Sequence, residues 1–203
     1  MTFFSPLPPE PIQPESERHE SPPWLRAPRH EIPVAVPFAR RLARVPGTAL
    51  HLRRLDVYRE GVGIELQLDV RREPDLDETR AALVDAFLSP RGHRRGFDRQ
   101  LRVGVTFSDG RSTATSDAAD WRFSTAAEDQ PPATPRLSAA GGGGSGDTHQ
   151  WTQRISMWLW PLPPEGPFTL HYVSEALGVP EGSTTIDVAA AEWSTGVVGV
   201  WDE

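Results

Sequence analysis

Residues 62–71, VGIELQLDVR, contain the clearest pattern in the chain and give the strongest indication of its fold. Apolar and polar residues alternate strictly along this stretch. The apolar positions are Val62, Ile64, Leu66, Leu68 and Val70. The positions between them are Gly63, Glu65, Gln67, Asp69 and Arg71. A period of two residues over this length predicts a β-strand with one buried face and one polar face.

The preceding segment predicts a second strand that pairs with the first. Leu50 and Leu52 point to one side, and the alternation restarts at Leu55 and Val57 after two arginines. A phase slip of one residue is what a β-bulge produces. Because only the short turn at 59–61 separates the two segments, we expect an antiparallel hairpin.

Further short strands follow along the chain. Apolar residues alternate over 101–107, and Asp109-Gly110 is a strong signal for a hairpin turn before a return strand near 111–116. Extended segments are also expected over three later stretches: 150–160, 167–174 and 183–188.

Helical patterns are few. Residues 75–88 predict one helix, because Asp75 could cap it and apolar residues recur at roughly helical spacing. The stretch FARRLAR, residues 38–44, could be a short basic helix packed through Phe38 and Leu42. Many short strands with one good helix predict a mainly β fold. The expected architecture is an antiparallel two-sheet β-sandwich, immunoglobulin-like in broad terms, with one inserted helix.

Proline and glycine mark two segments that the sandwich does not include. Residues 1–23 are rich in Pro, Glu and Ser, so we expect a disordered, Pro-rich N-terminal tail. Residues 24–203 then form a single β-sandwich domain. Within it, residues 128–148 predict a flexible loop, since they contain the run GGGGSG at 141–146. That run is either a natural product of GC-rich codons or an engineered linker.

Composition narrows the compartment and the partners. The chain has no cysteine, which excludes disulfides and fits a reducing compartment. With no long apolar run and no signal peptide, we expect a cytoplasmic protein without a membrane segment. All 21 basic residues are arginine, and the net charge is −7. The acidic whole argues against nucleic-acid binding, although residues 26–59 and 91–95 are rich in arginine.

An aromatic and proline-rich stretch, WLWPLPPEGP at 158–167, is the candidate contact surface. If 151–160 is one strand, Ile155, Met157 and Leu159 face the core, and two tryptophans lie on an outer face that we expect to be solvent-side at least at its start. The cover is the chain's own prolines or helix, the tail, or a partner protein. Self-cover is the ordinary outcome. The candidate protein-contact residues are Trp121, Trp158, Trp160, Pro161, Pro163 and Pro164.

Motifs for catalysis and cofactors are missing from the sequence. The six histidines are scattered without metal-binding spacing, and no GxSxG elbow occurs. Gly141, Gly143 and Gly146 formally match GxGxxG, but only within a glycine run. The basic stretch RGHRRG at 91–96 could bind phosphate, although a solvated loop is the more ordinary interpretation. We therefore expect no catalytic, metal or cofactor site.

Several long stretches carry a resemblance. WLWPLPPEGP is followed by FTLHYVSEALGVPEGSTTIDVAA, and upstream lie LHLRRLDVYREGVGIELQLDV and LRVGVTFSDGR. Together they resemble a β-rich protein family of unknown function from high-GC actinobacteria, with an aromatic–Trp-Pro-Leu-Pro-Pro–x-Gly-Pro signature. The resemblance implies a cytoplasmic actinobacterial protein with a single β-rich domain. It implies no reaction and transfers no site residues.

These observations predict a non-enzymatic binding or scaffolding module that acts through protein contacts. The partner and the oligomeric state stay open. One alternative is a small-ligand carrier or an enzyme with a pocket between the sheets. The other is nucleic-acid binding through the arginine-rich segments.

Overall fold

The computed structural model describes residues 21–89, 101–115, 130–187 and 194–201. Within these ranges the chain is mainly β, with one α-helix, α1 (Glu78–Leu88), and a short 3-10 turn at Glu175–Leu177. The strands in chain order are β1 (Glu31–Ile32), β2 (Val34–Val45), β3 (Thr48–Val57), β4 (Val62–Arg71), β5 (Arg102–Thr106), β6 (Ser112–Ala114), β7 (Arg136–Gly146), β8 (Gln150–Trp160), β9 (Phe168–Ser174), β10 (Val179–Ile186) and β11 (Val198–Gly199).

The strands form three antiparallel sheets, where the sequence predicts two. The five-stranded sheet has the order β2-β3-β4-β8-β7, and the four-stranded sheet has the order β10-β9-β5-β6. The third sheet pairs β1 with β11. Strands of two residues are too short to show an alternating pattern, so the sequence gives no signal for this sheet. The mainly β class with antiparallel pairing is confirmed.

Strand β4 confirms the pattern from which the fold was predicted. It lies at the centre of the five-stranded sheet, between β3 and β8, and its five apolar side chains are buried. The predicted hairpin joins β3 to β4, and its register shifts between Leu52 and Arg54. The predicted bulge is therefore present. It allows Leu50, Leu52, Leu55 and Val57 all to be buried.

Both larger sheets and the helix contribute to one hydrophobic core. The helix begins two residues later than the sequence predicts. Asp77, rather than Asp75, is the N-cap, and its carboxylate accepts the Arg80 backbone N–H at 2.9 Å. The helix buries Val84, Phe87 and Leu88 against the core.

The side chain of Arg80 ties the helix to two turns. Its guanidinium donates to the Pro46 carbonyl at 2.9 and 3.0 Å and to Thr48 Oγ1 at 3.3 Å, and it also donates to the Leu177 carbonyl. Burial lowers the pKa of Arg80. Carbonyl oxygens thus satisfy a buried cation, as burial of a charge requires.

The glycine run lies in strand β7, which corrects the prediction of a flexible loop over 128–148. Arg136–Gly146 pair with β8 along its whole length. Asp147 closes this hairpin, since its carboxylate accepts the backbone N–H groups of His149 at 2.7 Å and Gln150 at 3.0 Å. These two bonds lower the pKa of Asp147. Glycine has a weak preference for strands. The hairpin turn at Asp147 and pairing with the edge of β8 nevertheless hold this run in an extended strand.

The stretch FARRLAR also differs from its prediction, because it lies in β2 and not in a helix. The register of β2 against β3 shifts twice, between Pro37 and Arg40 and between Arg41 and Ala43. Each shift moves the following residues to the other face of the strand. Phe38 and Leu42 are four residues apart, and that spacing places two side chains on one face in a strand as well as in a helix.

Candidate functional site

The strand β8 confirms the inner half of its predicted pattern, and its outer half is covered at Trp158. Ile155, Met157 and Leu159 are buried in the core as predicted. Trp158 pairs with Gly63 on the opposite, polar face of the sheet, yet it is only 1% exposed. At Trp158 this face is therefore covered by the protein itself, the ordinary outcome that the sequence analysis gives for it. The indole belongs to a small second region of packing on the outer face.

Three groups surround the Trp158 side chain. Its indole Nε1 donates a hydrogen bond to the Pro23 carbonyl at 2.7 Å. The Tyr58 ring meets it edge-on, with centroids 5.3 Å apart. A Cβ atom on Gly61 would lie 2.6 Å from the indole, so the turn before β4 can approach only because this residue is glycine. Residues of the chain itself thus cover Trp158.

The other aromatic and proline candidates do not form one exposed surface. Trp160 is partly buried, and Trp24 meets it edge-on at a centroid distance of 6.2 Å. Pro161, which follows a cis peptide bond, and Pro164 are partly buried, and Pro163 is buried. Trp121 lies outside the described residues, as do residues 1–20 of the predicted tail and the basic stretch 91–96.

Exposed large apolar side chains lie instead on the two-stranded sheet and on the two residues that follow it; we call this group the apolar patch. Its residues are Ile32, Val198, Val200 and Trp201. Ile32 and Val198 are direct cross-strand partners and are 53% and 52% exposed. Trp201 is 87% exposed. These residues were not predicted as a contact surface, although the run VVGVW at 197–201 is an apolar signal in the sequence.

A buried carboxylate fixes the apolar patch to the rest of the protein. Glu31 accepts the Arg59 backbone N–H at 3.2 Å and lies 3.6 Å from the Arg59 guanidinium. The same guanidinium donates to the Val197 carbonyl at 3.3 Å. The Val200 N–H donates to the His30 carbonyl at 2.7 Å. The small sheet is thus held on the turn between β3 and β4, and the patch has a defined position.

A second candidate site is a cavity of about 340 Å³, which we call the polar cleft. It opens on the outer face of the five-stranded sheet, and not between the larger sheets, where the sequence analysis placed the ligand pocket of its alternative function. The side chains that characterise it are Arg41, Arg44, His51, Asp69, Arg71, Glu73 and Thr152.

Hydrogen bonds within the protein satisfy both acids of the polar cleft. Asp69 accepts from Thr152 Oγ1 at 2.7 Å and from Gln67 Nε2 at 2.9 Å, and His51 Nε2 lies 3.5 Å away. Glu73 accepts from the Arg71 guanidinium at 2.8 and 3.0 Å and from the Gly47 N–H at 3.2 Å. Hydrogen bonding from Arg71 is the main cause that lowers the pKa of Glu73.

Two cations of the polar cleft lack such partners. In the part of the chain that the structure describes, the guanidinium groups of Arg41 and Arg44 make no hydrogen bond and no ion pair. Arg44 acts on Glu73 only as a more distant charge. The charged groups of the cleft that remain free are therefore cations, which can only donate.

The described residues contain neither a cluster suited to a metal ion nor a helix suited to a membrane. No group of three or more His, Asp or Glu side chains suited to a metal ion occurs among the described residues. Over the same residues, the structure contains no helix whose length and apolarity would let it cross a membrane.

Comparison of the chain with protein-family models, with curated proteins and with solved structures returns no match. The resemblance to an actinobacterial family therefore stays a prediction.

Proposed function

We propose that this protein is a non-enzymatic binding module that acts through protein contacts at the apolar patch. The observation that carries the proposal is the 87% exposure of Trp201, three residues along the chain from Val198, which pairs with the exposed Ile32. Exposed clusters of large apolar side chains mark interaction sites in folded proteins, and tryptophan is among the residues that contribute most to binding. The buried carboxylate of Glu31, which pairs with the half-exposed Arg59, holds the two-stranded sheet in place, so little ordering is needed on binding.

The proposed occupant is a basic protein that presents an apolar segment. The chain carries a net charge of −7, which attracts a basic partner and repels a second copy. The apolar segment would cover Trp201 and the Ile32–Val198 pair, and basic residues around it would speed the encounter.

The alternative of nucleic-acid binding has less support. Arg53 and Arg54 lie 3.7 and 3.1 Å from Glu65, and Arg59 lies 3.6 Å from Glu31. Acids of the same protein thus neutralise several arginines of the basic segment, and a nucleic acid would have to displace them.

The arrangement of the larger sheets and the location of the protein in the cell belong to the same proposal. A two-layered, immunoglobulin-like arrangement of the larger sheets is supported by the single core to which both contribute. A cytoplasmic location is supported by the absence of cysteine.

Site-specific photo-crosslinking tests the proposed function. A photoreactive amino acid replaces Trp201 in one variant and, as a control, the exposed Ser145 of β7 in another. We expect position 201 to crosslink in the source cell to a basic protein that position 145 does not capture. With that protein purified, the double variant Ile32→Ser/Trp201→Ala should bind at least about tenfold more weakly, since such residues act as hot spots.

Three outcomes would overturn the proposal. The first is the same set of crosslinks from positions 201 and 145. The second is a product that contains only a second copy of this chain. The third is equal affinity of the double variant and the wild type. An association rate that falls as salt rises would support the basic character of the partner, and a salt-independent rate would contradict it.

A further inference from the structure

We propose that the polar cleft is a second binding site, which takes a small phosphate-bearing molecule, and that Arg41 and Arg44 contact the phosphate. The cleft lies on the five-stranded sheet, and the apolar patch lies on the two-stranded sheet. This site is therefore independent of the protein-contact function proposed above.

Strand β2 places the side chains of Arg41 and Arg44 on the same side of the sheet. Residues three apart normally point to opposite faces of a strand. The register shift between Arg41 and Ala43 adds one residue, so Arg41 pairs with His51 and Arg44 pairs with Ala49. His51 and Ala49 are two apart on β3 and share its outer face. The bulge therefore brings both guanidinium groups to the same side of the sheet.

The charges and hydrogen bonds of the polar cleft favour an anion as its ligand. The cleft contains three guanidinium groups and two carboxylates, a net charge of +1 in a protein of net charge −7. Thr152, Gln67 and Arg71 already donate to the two carboxylates. Arg41 and Arg44 are exposed, and their guanidinium groups remain free to donate among the described residues. An anion is the ligand that completes this set.

The side chains of the polar cleft suit an anion that carries a phosphate group. The planar guanidinium group binds phosphate through two parallel hydrogen bonds, which are shorter and stronger than bonds between neutral groups. The neighbouring side chains of His51, Gln150 and Thr152 can bond to hydroxyl groups of the same molecule. A volume of about 340 Å³ suits a small molecule. A phosphate monoester with hydroxyl groups fits these features.

The test is a binding measurement on the full chain with inorganic phosphate and glycerol 2-phosphate as probes, at constant ionic strength set by chloride. The variant Arg41→Gln/Arg44→Gln removes the two proposed contacts. Arg26→Gln/Arg29→Gln is the matched control, because it removes two exposed arginines at the same spacing and changes the net charge equally. Calorimetry gives the dissociation constant, and the Nε resonances of the ¹⁵N-labelled arginines show which guanidinium groups respond.

We expect saturable binding to the wild type and to the control variant, and at least about tenfold weaker binding to Arg41→Gln/Arg44→Gln, since charge-assisted hydrogen bonds are lost. Tighter binding of glycerol 2-phosphate than of inorganic phosphate would support the hydroxyl contacts. Absence of saturation with both probes overturns the proposal. An equal loss in both double variants also overturns it, because the effect would then come from net charge and not from the cleft.

Discussion

Replacement of Trp158 by alanine tests whether the covered indole on the outer face of the sheet stabilises the fold. Trp158 is 1% exposed and has Tyr58 on one side and the Gly61 turn on another. Loss of a buried tryptophan side chain costs about 3–5 kcal/mol, because the lost burial adds to the cost of the cavity. We expect the free energy of unfolding to fall by that amount.

A second variant, Trp158→Phe, isolates the hydrogen bond. Phenylalanine keeps an aromatic ring but removes the Nε1 donor that lies 2.7 Å from the Pro23 carbonyl. This bond is only partly buried, so water can replace it in part. The loss from the bond should be about 1 kcal/mol, to which the smaller ring adds a packing cost.

Urea unfolding followed by circular dichroism measures both variants, with linear extrapolation to zero denaturant. Trp201→Ala is the matched control, since it removes the same side chain from a position that is 87% exposed. Its free energy of unfolding should stay within about 0.5 kcal/mol of the wild type. If Trp158→Ala costs no more than Trp201→Ala, the indole is not a packed element of the fold and the reasoning fails.

Two further predictions concern β7 and the edge of the polar cleft. Gly142→Ala should destabilise the protein by about 1–3 kcal/mol, because its Cβ would lie 2.3 Å from the Arg154 carbonyl oxygen. Gly143→Ala is the control and should leave the stability unchanged, because a Cβ there would have nothing within 4 Å. Equal urea midpoints for the two variants would contradict this prediction. Glu73 has a pKa below its ordinary value of 4.5, so the stability that it contributes is present above about that pH and is lost as the pH falls through the lowered pKa. The difference in unfolding free energy between wild type and Glu73→Gln should therefore shrink on acidification, and a pH-independent difference would refute the role of Glu73.

The parts of the fold that the sequence predicts correctly are those where a strand has one buried face and visible neighbours. In β4, five apolar residues alternate with five others, and the register follows from that alternation. In β3, two consecutive arginines shift the phase, and the bulge lies where the phase shifts. In both strands, the burial of each side chain follows from its nearest neighbours in sequence and pairing.

The parts that the sequence leaves open or predicts wrongly depend on contacts that are distant in sequence or on residues without side chains. Trp158 has the phase of an outer-face residue, and only the Pro23 segment and Tyr58 turn that position into a buried one. Strand β7 consists largely of small residues, so it shows no alternation, and its pairing partner supplies the order. The apolar patch depends on β1 meeting β11, more than 160 residues later in the chain. Periodicity within a window of ten residues contains none of this information.

The hydrogen bond between Trp158 and Pro23 sets an order of events during synthesis. The two residues are 135 positions apart, and a ribosome that adds about 5–20 residues per second needs about 7–27 s to make the chain between them. Throughout that interval Pro23 and Trp24 have been made, but Trp158 and Trp160, on which they dock, have not. The outer face of β8 can be covered only after residues 158–160 have emerged, so a segment made 135 residues earlier is among the last to dock.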